Sequence, residues 1–146
     1  MKYKNLSAMA LAIAGVSFTF AEAHATQISS PSGIIVLNAE VVDSVPVYSV
    51  TYKGKPVILP SKLGLELADG PDMMDGFCQT SVETSSFDET WQPVWGENKN
   101  IRNHYNELLV KMDQPRCYRK MNIRFRVYDD GIGFRYEFPQ DGVLTY

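Results

Sequence analysis

The segment from Trp91 to Glu107, WQPVWGENKNIRNHYNE, concentrates the side chains of this sequence that could bind a ligand. It holds two tryptophans, one histidine, one tyrosine, one arginine, two glutamates and four asparagines. Indole rings can cover the apolar C–H side of a sugar ring, and the polar side chains can orient its hydroxyl groups. The candidate binding residues are therefore Trp91, Trp95, Glu97, Arg102, Asn103, His104 and Tyr105.

Two other interpretations of this segment are open. Tryptophans in a long loop often anchor that loop to the core of their own domain. Tryptophan, tyrosine and arginine are also enriched where one protein surface packs against another. The segment could therefore dock on a neighbouring domain instead of binding a small ligand.

The same region gives little support for catalysis. Glu83, Asp88, Glu89 and Glu97 are carboxylates, but glycoside hydrolysis needs a pair held about 5 to 9.5 Å apart. Nothing in the spacing of these four residues fixes such a separation. His104 could act as a base, but no nucleophile motif accompanies it. We expect no catalytic residue in this chain.

The cysteines, Cys78 and Cys117, allow two interpretations. In an oxidising compartment they could form a disulfide, which would stabilise the fold by roughly 3–4 kcal/mol. They could also be two separate, small hydrophobic side chains. Two cysteines and two histidines, one of which precedes residue 26, do not make a zinc site. No metal site is expected.

The N-terminus has the three parts of a signal peptide. Lys2 and Lys4 precede the apolar run LSAMALAIAGVSFTF, and AHA at residues 23–25 offers a cleavage site. This divides the chain into a leader, residues 1–25, and one exported domain, residues 26–146. We expect a bacterial periplasmic or secreted protein that does not associate with a membrane after cleavage. The net charge of -3, without a basic run, argues against a nucleic-acid partner.

Alternating apolar residues and turn signals predict short strands after the leader. Lys53-Gly54 and Asp129-Asp130-Gly131 are hairpin turn signals, and no stretch of ten residues has a helical period. The pattern predicts an antiparallel β-sandwich, with residues 84–105 as a long loop. The candidate strands are residues 34–42, 47–52, 56–59, 63–67, 77–83, 108–112 and the two arms of a final hairpin over 123–138.

The final hairpin has one apolar side and one charged side. Arg124, Arg126, Arg135 and Glu137 share the charged side. It could be a cationic patch for an acidic ligand, or a solvated face with cross-strand ion pairs.

Two long blocks of the sequence, SSFDETWQPVWGENKNIRNHYNEL and FRVYDDGIGFRYEFP, resemble the N-terminal region of glycoside hydrolase family 97. Upstream, SPSG, YSVTYKGKPVI and SKLGLEL are also similar to the start of those enzymes. The resemblance covers about residues 28–140. That family contains exported bacterial α-glucosidases and α-galactosidases of starch and oligosaccharide use.

The resemblance implies a galactose-mutarotase-like β-sandwich, followed in family members by a (β/α)8 barrel with the active site and by a small β domain. It also implies that the catalytic carboxylates and most calcium ligands come from the barrel, with one calcium-binding glutamate from a later part of the sandwich. The chain ends at Tyr146, before those positions. We therefore expect a sandwich that is incomplete at its C-terminus, with no calcium ligand or other cofactor of its own.

Three functions follow from these observations. The first is a non-catalytic N-terminal fragment of an exported α-glycosidase, associated with carbohydrate and packing against a catalytic barrel that the fragment lacks. The second is a stand-alone carbohydrate-binding module that holds an oligosaccharide or α-glucan with the Trp91–Tyr105 segment. The third is an interaction protein that docks on a partner through an exposed sheet edge.

Overall fold

Residues 26–139, as described by a computed structural model, form two antiparallel four-stranded sheets. The proposed leader and residues 140–146 lie outside the described residues. In both sheets the spatial order of the strands follows their order in the chain. The predicted antiparallel β-sandwich is thus confirmed. Within residues 26–139, no helix is long and apolar enough to cross a membrane.

The strand bounds are as follows. The first sheet contains β1 Thr26–Ser29, β2 Ile35–Val42, β3 Val45–Tyr52 and β4 Lys55–Lys62. The second sheet contains β5 Cys78–Trp91, β6 Ile101–Gln114, β7 Arg119–Val127 and β8 Ile132–Glu137. A short 3-10 helix, Pro115–Cys117, lies between β6 and β7.

Two-residue turns connect β2 to β3 and β3 to β4 in the first sheet. Lys53 and Gly54, between β3 and β4, both have positive φ, 50° and 76°, as the predicted hairpin turn requires. Asp43 and Ser44 adopt the same left-handed region between β2 and β3, with φ of 50° and 65°. Such turns match the right-handed twist of paired strands, so each strand returns beside the one before it.

The core lies between the two sheets, with β1 over β6 and β2 over β7. At the β3 side, the ring of Tyr48 lies 5.7 Å from that of Phe134 on β8 and 6.2 Å from that of Phe125 on β7. The predicted apolar side of the final hairpin faces this core, where Ile123, Phe125 and Val127 are fully buried. The other fully buried apolar side chains are Leu37, Phe77, Leu108, Met112 and Met121.

The strand predicted over residues 63–67 is wrong. Only Leu65 has a ladder partner there, an isolated bridge to Met73. Gly64 has a φ of 154°, and its backbone lies so close to Met73 and Met74 that a Cβ would collide with them. The alternating leucines still point inward, since Leu63 is buried and Leu65 packs against the core. The alternating leucines therefore predicted burial correctly, but the segment does not pair as a strand.

The long loop predicted over residues 84–105 is also wrong. β5 and β6 pair without interruption from Val82↔Val110 to Trp91↔Ile101, so only residues 92–100 remain as a loop. The sequence pattern failed here because TSSFDET, residues 84–90, has one apolar side chain and no inward-facing apolar series. Pairing with β6 supplies the backbone hydrogen bonds that the pattern could not indicate.

β4 is one edge of the first sheet. Its side chains are mostly exposed, including Val57 and Leu59. It carries two prolines, Pro56 and Pro60, which have no backbone N–H to donate. This composition is typical of an edge strand, because proline in a central strand would remove a ladder hydrogen bond.

Replacing Phe125 with alanine should destabilise the domain strongly. Phe125 is 1% exposed, and loss of a buried phenyl ring costs about 3–5 kcal/mol in free energy of unfolding. Urea unfolding of Phe125→Ala would measure this. The matched control is Val57→Ala, whose side chain is 65% exposed and should change stability by less than about 0.5 kcal/mol. Equal effects of the two substitutions would contradict the assignment of the core.

Candidate functional site

The β5–β6 hairpin has two halves of opposite polarity. In its lower half, residues 78–85 and 107–114, the side facing the first sheet is apolar and includes Val82, Leu108, Val110 and Met112. The upper half, residues 86–91 and 101–106, continues the same alternation without a register shift. We call the side of the upper half that continues the core-facing side its inner face, and the opposite side its outer face.

The inner face of the upper half is entirely polar. Side chains alternate between the two faces, so every second pair after Thr84↔Leu108 lies on the inner face, which gives three further pairs. Its residues are Ser86, Asp88, Thr90, Arg102, His104 and Asn106. The outer face consists instead of Phe87, Glu89, Trp91, Ile101, Asn103 and Tyr105. Polar residues therefore occupy the side that is apolar below. Four large apolar or aromatic residues occupy the other side, which is mainly polar below and includes one buried leucine, Leu109.

Two aromatic side chains of the outer face, Phe87 and Tyr105, stack on each other. Phe87 and Tyr105, which are directly paired across the strands, have ring centroids 5.2 Å apart and an interplanar angle of 23°. The guanidinium carbon of Arg126 lies 4.6 Å from the Tyr105 ring centroid, a cation–π contact. Tyr128 adds a tilted contact at 5.2 Å. Tyr105 is consequently buried, whereas Phe87 remains 38% exposed.

The inner face is organised by ion pairs and hydrogen bonds. Nε and Nη2 of Arg102 donate to the two carboxylate oxygens of Asp88 at 2.8 and 2.7 Å, and this hydrogen bonding lowers the pKa of Asp88. Nε2 of His104 lies 4.0 Å from Asp88 Oδ2. Below them, Asp129 accepts hydrogen bonds from the backbone N–H and hydroxyl of Ser32 at 2.9 and 2.6 Å. These bonds lower the pKa of Asp129.

A partly buried ion-pair network supports the base of the outer face. Arg124 donates to both Glu107 and Glu137, and Arg126 donates through Nε to Glu107 at 2.8 Å. Arg135 completes the network by donating to Glu137 at 2.8 Å. The interpretation of the charged side of the final hairpin as cross-strand ion pairs is therefore confirmed, and it does not form an unpaired cationic patch.

The two acids of this network are held in their charged form. The hydrogen bond from Arg124 is the main cause that lowers the pKa of Glu137 to about 2. Burial raises the pKa of Glu107, but the hydrogen bonds from Arg126 and Arg124 outweigh it and lower the pKa overall. Glu107 is only 8% exposed, and its two arginines compensate the cost of removing its charge from water.

The seven candidate residues do not converge on one site. Trp91, Asn103 and Tyr105 lie on the outer face, while Arg102 and His104 lie on the inner face. Trp95 and Glu97 lie in the loop of residues 92–100, where the Trp95 side chain is 88% exposed. The loop is closed at its base by a 2.9 Å hydrogen bond from Gln92 Nε2 to Asn100 Oδ1.

Several residues that form or adjoin these two faces were not among the candidates, and four of them make the contacts described above. Phe87 belongs to the outer face and Tyr128 contacts its Tyr105, while Ser32 and Asp129 lie beside the inner face. A signal for Phe87 was present in the sequence, because Phe87-x3-Trp91 and Ile101-x3-Tyr105 have the even spacing of one strand face. Ser32 and Asp129 are 97 residues apart, and no local pattern joins them.

The cysteines are not bonded to each other in the structure. Cys78 is exposed at the start of β5, and Cys117 is half-buried at the end of the 3-10 helix. Among residues 26–139, no three histidine, cysteine, aspartate or glutamate side chains are grouped so that they could hold a metal ion.

The fold is a β-sandwich domain in which the upper half of the β5–β6 hairpin differs in polarity from the lower half. The chain belongs to the glycosyl-hydrolase 97 N-terminal family, whose model matches residues 28–146. The resemblance drawn from the sequence blocks is thereby confirmed.

The chain matches only part of the length of three relatives. It is 26% identical over 109 residues to a retaining α-galactosidase of Bacteroides thetaiotaomicron, covering 75% of this chain and 16% of the relative. It is 34% identical to a glycoside hydrolase family 97 enzyme from a Pseudoalteromonas species, solved in complex with panose, with a TM-score of 0.75. It is 27% identical to a β-arabinopyranosidase of known crystal structure, with a TM-score of 0.71. Each of these two matches covers 80% of this chain but 18% of the solved chain.

Acid should weaken the domain partly through Glu137. Its pKa falls from 4.5 to about 2 on folding, so the stabilisation is complete above the unfolded pKa and is lost as pH falls towards 2. The free energy of unfolding of the native chain should therefore decrease between pH 5 and pH 2. Glu137→Gln should be less stable at pH 7 and should show a shallower decrease, measured by urea unfolding at several pH values. Parallel pH profiles for the two proteins would contradict this role of Glu137.

Proposed function

We propose that this chain is the non-catalytic N-terminal domain of an exported α-glycosidase acting on α-glucosides or α-galactosides. Its membership of the family supports the assignment to such an enzyme. The substrate class is supported by a relative named as a retaining α-galactosidase and another solved with panose. In this proposal, the catalytic residues and the calcium ligands implied by the resemblance belong to the rest of the enzyme.

The hairpin's outer face packs, in this proposal, against the rest of the enzyme. The observation that carries it is the change of polarity in the upper half, which puts Trp91 and Ile101, 46% and 37% exposed, on a side that is mainly polar below, apart from Leu109. Exposed apolar side chains grouped on one face favour a protein interface. The chain spans less than a fifth of the length of its solved relatives. In those relatives, the rest of the chain is large enough to form such an interface.

The geometry of the rings favours a protein partner over a sugar on this face. A sugar binds through its C–H side to the flat face of an aromatic ring. Phe87 covers one part of Tyr105 by stacking, and the Arg126 guanidinium covers another. The Tyr105 ring is consequently buried and is not free to stack on a pyranose.

The loop of residues 92–100 supports a second candidate function, a carbohydrate-binding module. Trp95 is 88% exposed and neighbours the fully exposed Val94. An indole that no other side chain covers is available to stack on a sugar ring. This candidate requires sugar affinity in the isolated chain that depends on Trp95.

Docking of the outer face can be tested in a chimera in which residues 28–139 replace the matching segment of the Pseudoalteromonas enzyme. The double substitution Trp91→Ser and Ile101→Ser should lower the unfolding temperature of the chimera, because it removes about 1–2 kcal/mol at an interface; the shift should be small, since the chimera is large. In the isolated chain the same pair is exposed and should have little effect. A matched control is Lys111→Ala on the lower half.

Equal shifts in the chimera and in the isolated chain would mean that Trp91 and Ile101 stabilise the sandwich itself. No shift in either protein would mean that the outer face does not meet the rest of the enzyme. Either result would contradict the proposal that the outer face docks on the rest of the enzyme.

Export, as proposed, predicts a specific mature N-terminus. When the full sequence is expressed in a bacterium, residues 1–25 should be removed and the product should begin at Thr26. Mass spectrometry of the periplasmic or secreted fraction would measure this. A chain that retains Met1 and stays in the cytoplasm would contradict the proposal.

A further inference from the structure

A cavity lies at the lower end of the β5–β6 hairpin, between the β6–β7 turn and residues 71–76. Its volume is about 280 Å³. Gln114, the last residue of β6, joins the two walls, because its Nε2 donates to the backbone carbonyls of Asp72 and Asp75 at 2.9 and 2.8 Å. The shape of the cavity is therefore fixed by side-chain hydrogen bonds from the second sheet.

One buried acceptor at this cavity has no donor. The Gln114 side chain lines the cavity, and the residue is only 4% exposed. Its amide nitrogen is used in the two hydrogen bonds to residues 71–76, but its Oε1 is buried and accepts no hydrogen bond from any group in residues 26–139. A buried carbonyl oxygen without a donor is unfavourable. This position therefore favours a ligand that donates hydrogen bonds.

Two carboxylates line the same cavity and also lack donors. The side chain of Asp75 makes no hydrogen bond or ion pair in the part of the chain that the structure describes. Oδ1 of Asp72 accepts from the backbone N–H of Leu67 at 3.0 Å, whereas Oδ2 has no donor among the same residues. A second cavity of about 410 Å³ adjoins the first, shares Asp75 with it and adds the carboxylate of Asp43.

The lining of the two cavities is negatively charged. Asp43, Asp72 and Asp75 contribute three negative charges and Arg116 contributes one positive charge, which leaves a net charge of -2. Arg116 has no ion pair within residues 26–139, so it does not neutralise any one of these carboxylates. Arg119 lies outside the lining and donates to a backbone carbonyl of residues 71–76. A cation is therefore attracted more strongly than an anion.

An alkylammonium group matches this cavity better than a metal ion does. An ammonium has three N–H donors and no acceptor, and three acceptors without donors are available on Gln114, Asp72 and Asp75. Its alkyl chain can pack on Pro71 and Met74, which also line the cavity. A metal ion is not supported, because the described residues contain no group of three histidine, cysteine, aspartate or glutamate side chains that could hold one.

We propose that this cavity binds an alkylammonium group through the carboxylates of Asp72 and Asp75 and the side-chain carbonyl of Gln114. The group is carried either by a lysine side chain of a protein or by a free amine. This site is independent of the proposed function, because it lies at the opposite end of the hairpin from Trp91 and Ile101.

The test uses the full chain with n-butylamine, which is the side chain of lysine without its backbone and is protonated at about pH 7. Isotope-labelled protein titrated with n-butylamine should show saturable NMR shifts at the side-chain amide of Gln114 and the backbone N–H of Gly76. The dissociation constant should be on the order of 10 mM. Butyrate, which has a similar alkyl chain and the opposite charge, should give no saturable shift.

Two substitutions should change the affinity for n-butylamine in opposite directions. Asp75→Asn keeps the backbone carbonyl that Gln114 binds but removes a charged acceptor, so binding should weaken at least about threefold. Arg116→Ala removes a like charge, so binding should tighten about twofold. The matched control is Asp130→Asn, which makes the same change of charge in the β7–β8 turn and should leave the affinity unchanged.

Three results would overturn the proposal. The first is the absence of a saturable shift up to about ten times the expected dissociation constant, which would mean that water alone meets the Gln114 carbonyl. The second is the reverse sign for Asp75→Asn and Arg116→Ala, which would indicate an anion site. The third is equal weakening by Asp75→Asn and Asp130→Asn, which would reflect only the overall charge of the protein.

A second probe identifies the source of the ammonium group. The blocked tripeptide acetyl-Ala-Lys-Ala-amide presents the same side chain on a backbone. Tighter binding of this peptide than of n-butylamine would identify the ligand as a lysine of a protein, because the backbone then adds contacts. Weaker binding would identify a free amine, because the cavity then excludes the backbone.

Discussion

Continuous pairing of β5 with β6 is the constraint on which the rest of this domain depends. Because side chains alternate strictly along a strand, an uninterrupted register from Val82↔Val110 to Trp91↔Ile101 assigns every residue of the hairpin to a face. A one-residue slip would bring Glu107 into the core and move Leu108 out of it. The buried lower half therefore determines the faces of the upper half, whose side chains have few packing contacts with the first sheet.

The ion-pair network provides the link between these halves. Glu107 lies at the upper end of the lower half, and its partner Arg126 also covers the Tyr105 ring of the upper half. One guanidinium thus contributes to a salt bridge and to an aromatic stack. Burying Glu107 would be costly without Arg124 and Arg126, so β7 must lie beside β6 in this register. The position of the outer face is consequently set by the same contacts that hold the second sheet together.

Sequence patterns predicted the parts of the fold that obey short-range rules. The Lys53-Gly54 dipeptide predicted a hairpin turn, and the alternating apolar residues predicted the apolar side of the final hairpin. Both features are present in the structure. The upper half of the hairpin could not be predicted in this way, because Phe87 and Tyr105 become neighbours only through pairing across the loop of residues 92–100. The candidate residues have the polar and aromatic side chains that a binding site needs. Their division between two faces depends on register, which neither composition nor local spacing contains.

The edge strand β4 has a consequence for how copies of this chain meet. An edge with a full row of N–H and C=O groups is a template onto which another chain can add a strand. Pro56 and Pro60 interrupt that row, and Lys55 and Lys62 place a positive charge at each end. Two such edges brought together would leave carbonyls without donors and would oppose like charges. Despite the exposed Val57 and Leu59, this side of the sandwich resists polymerisation through its backbone.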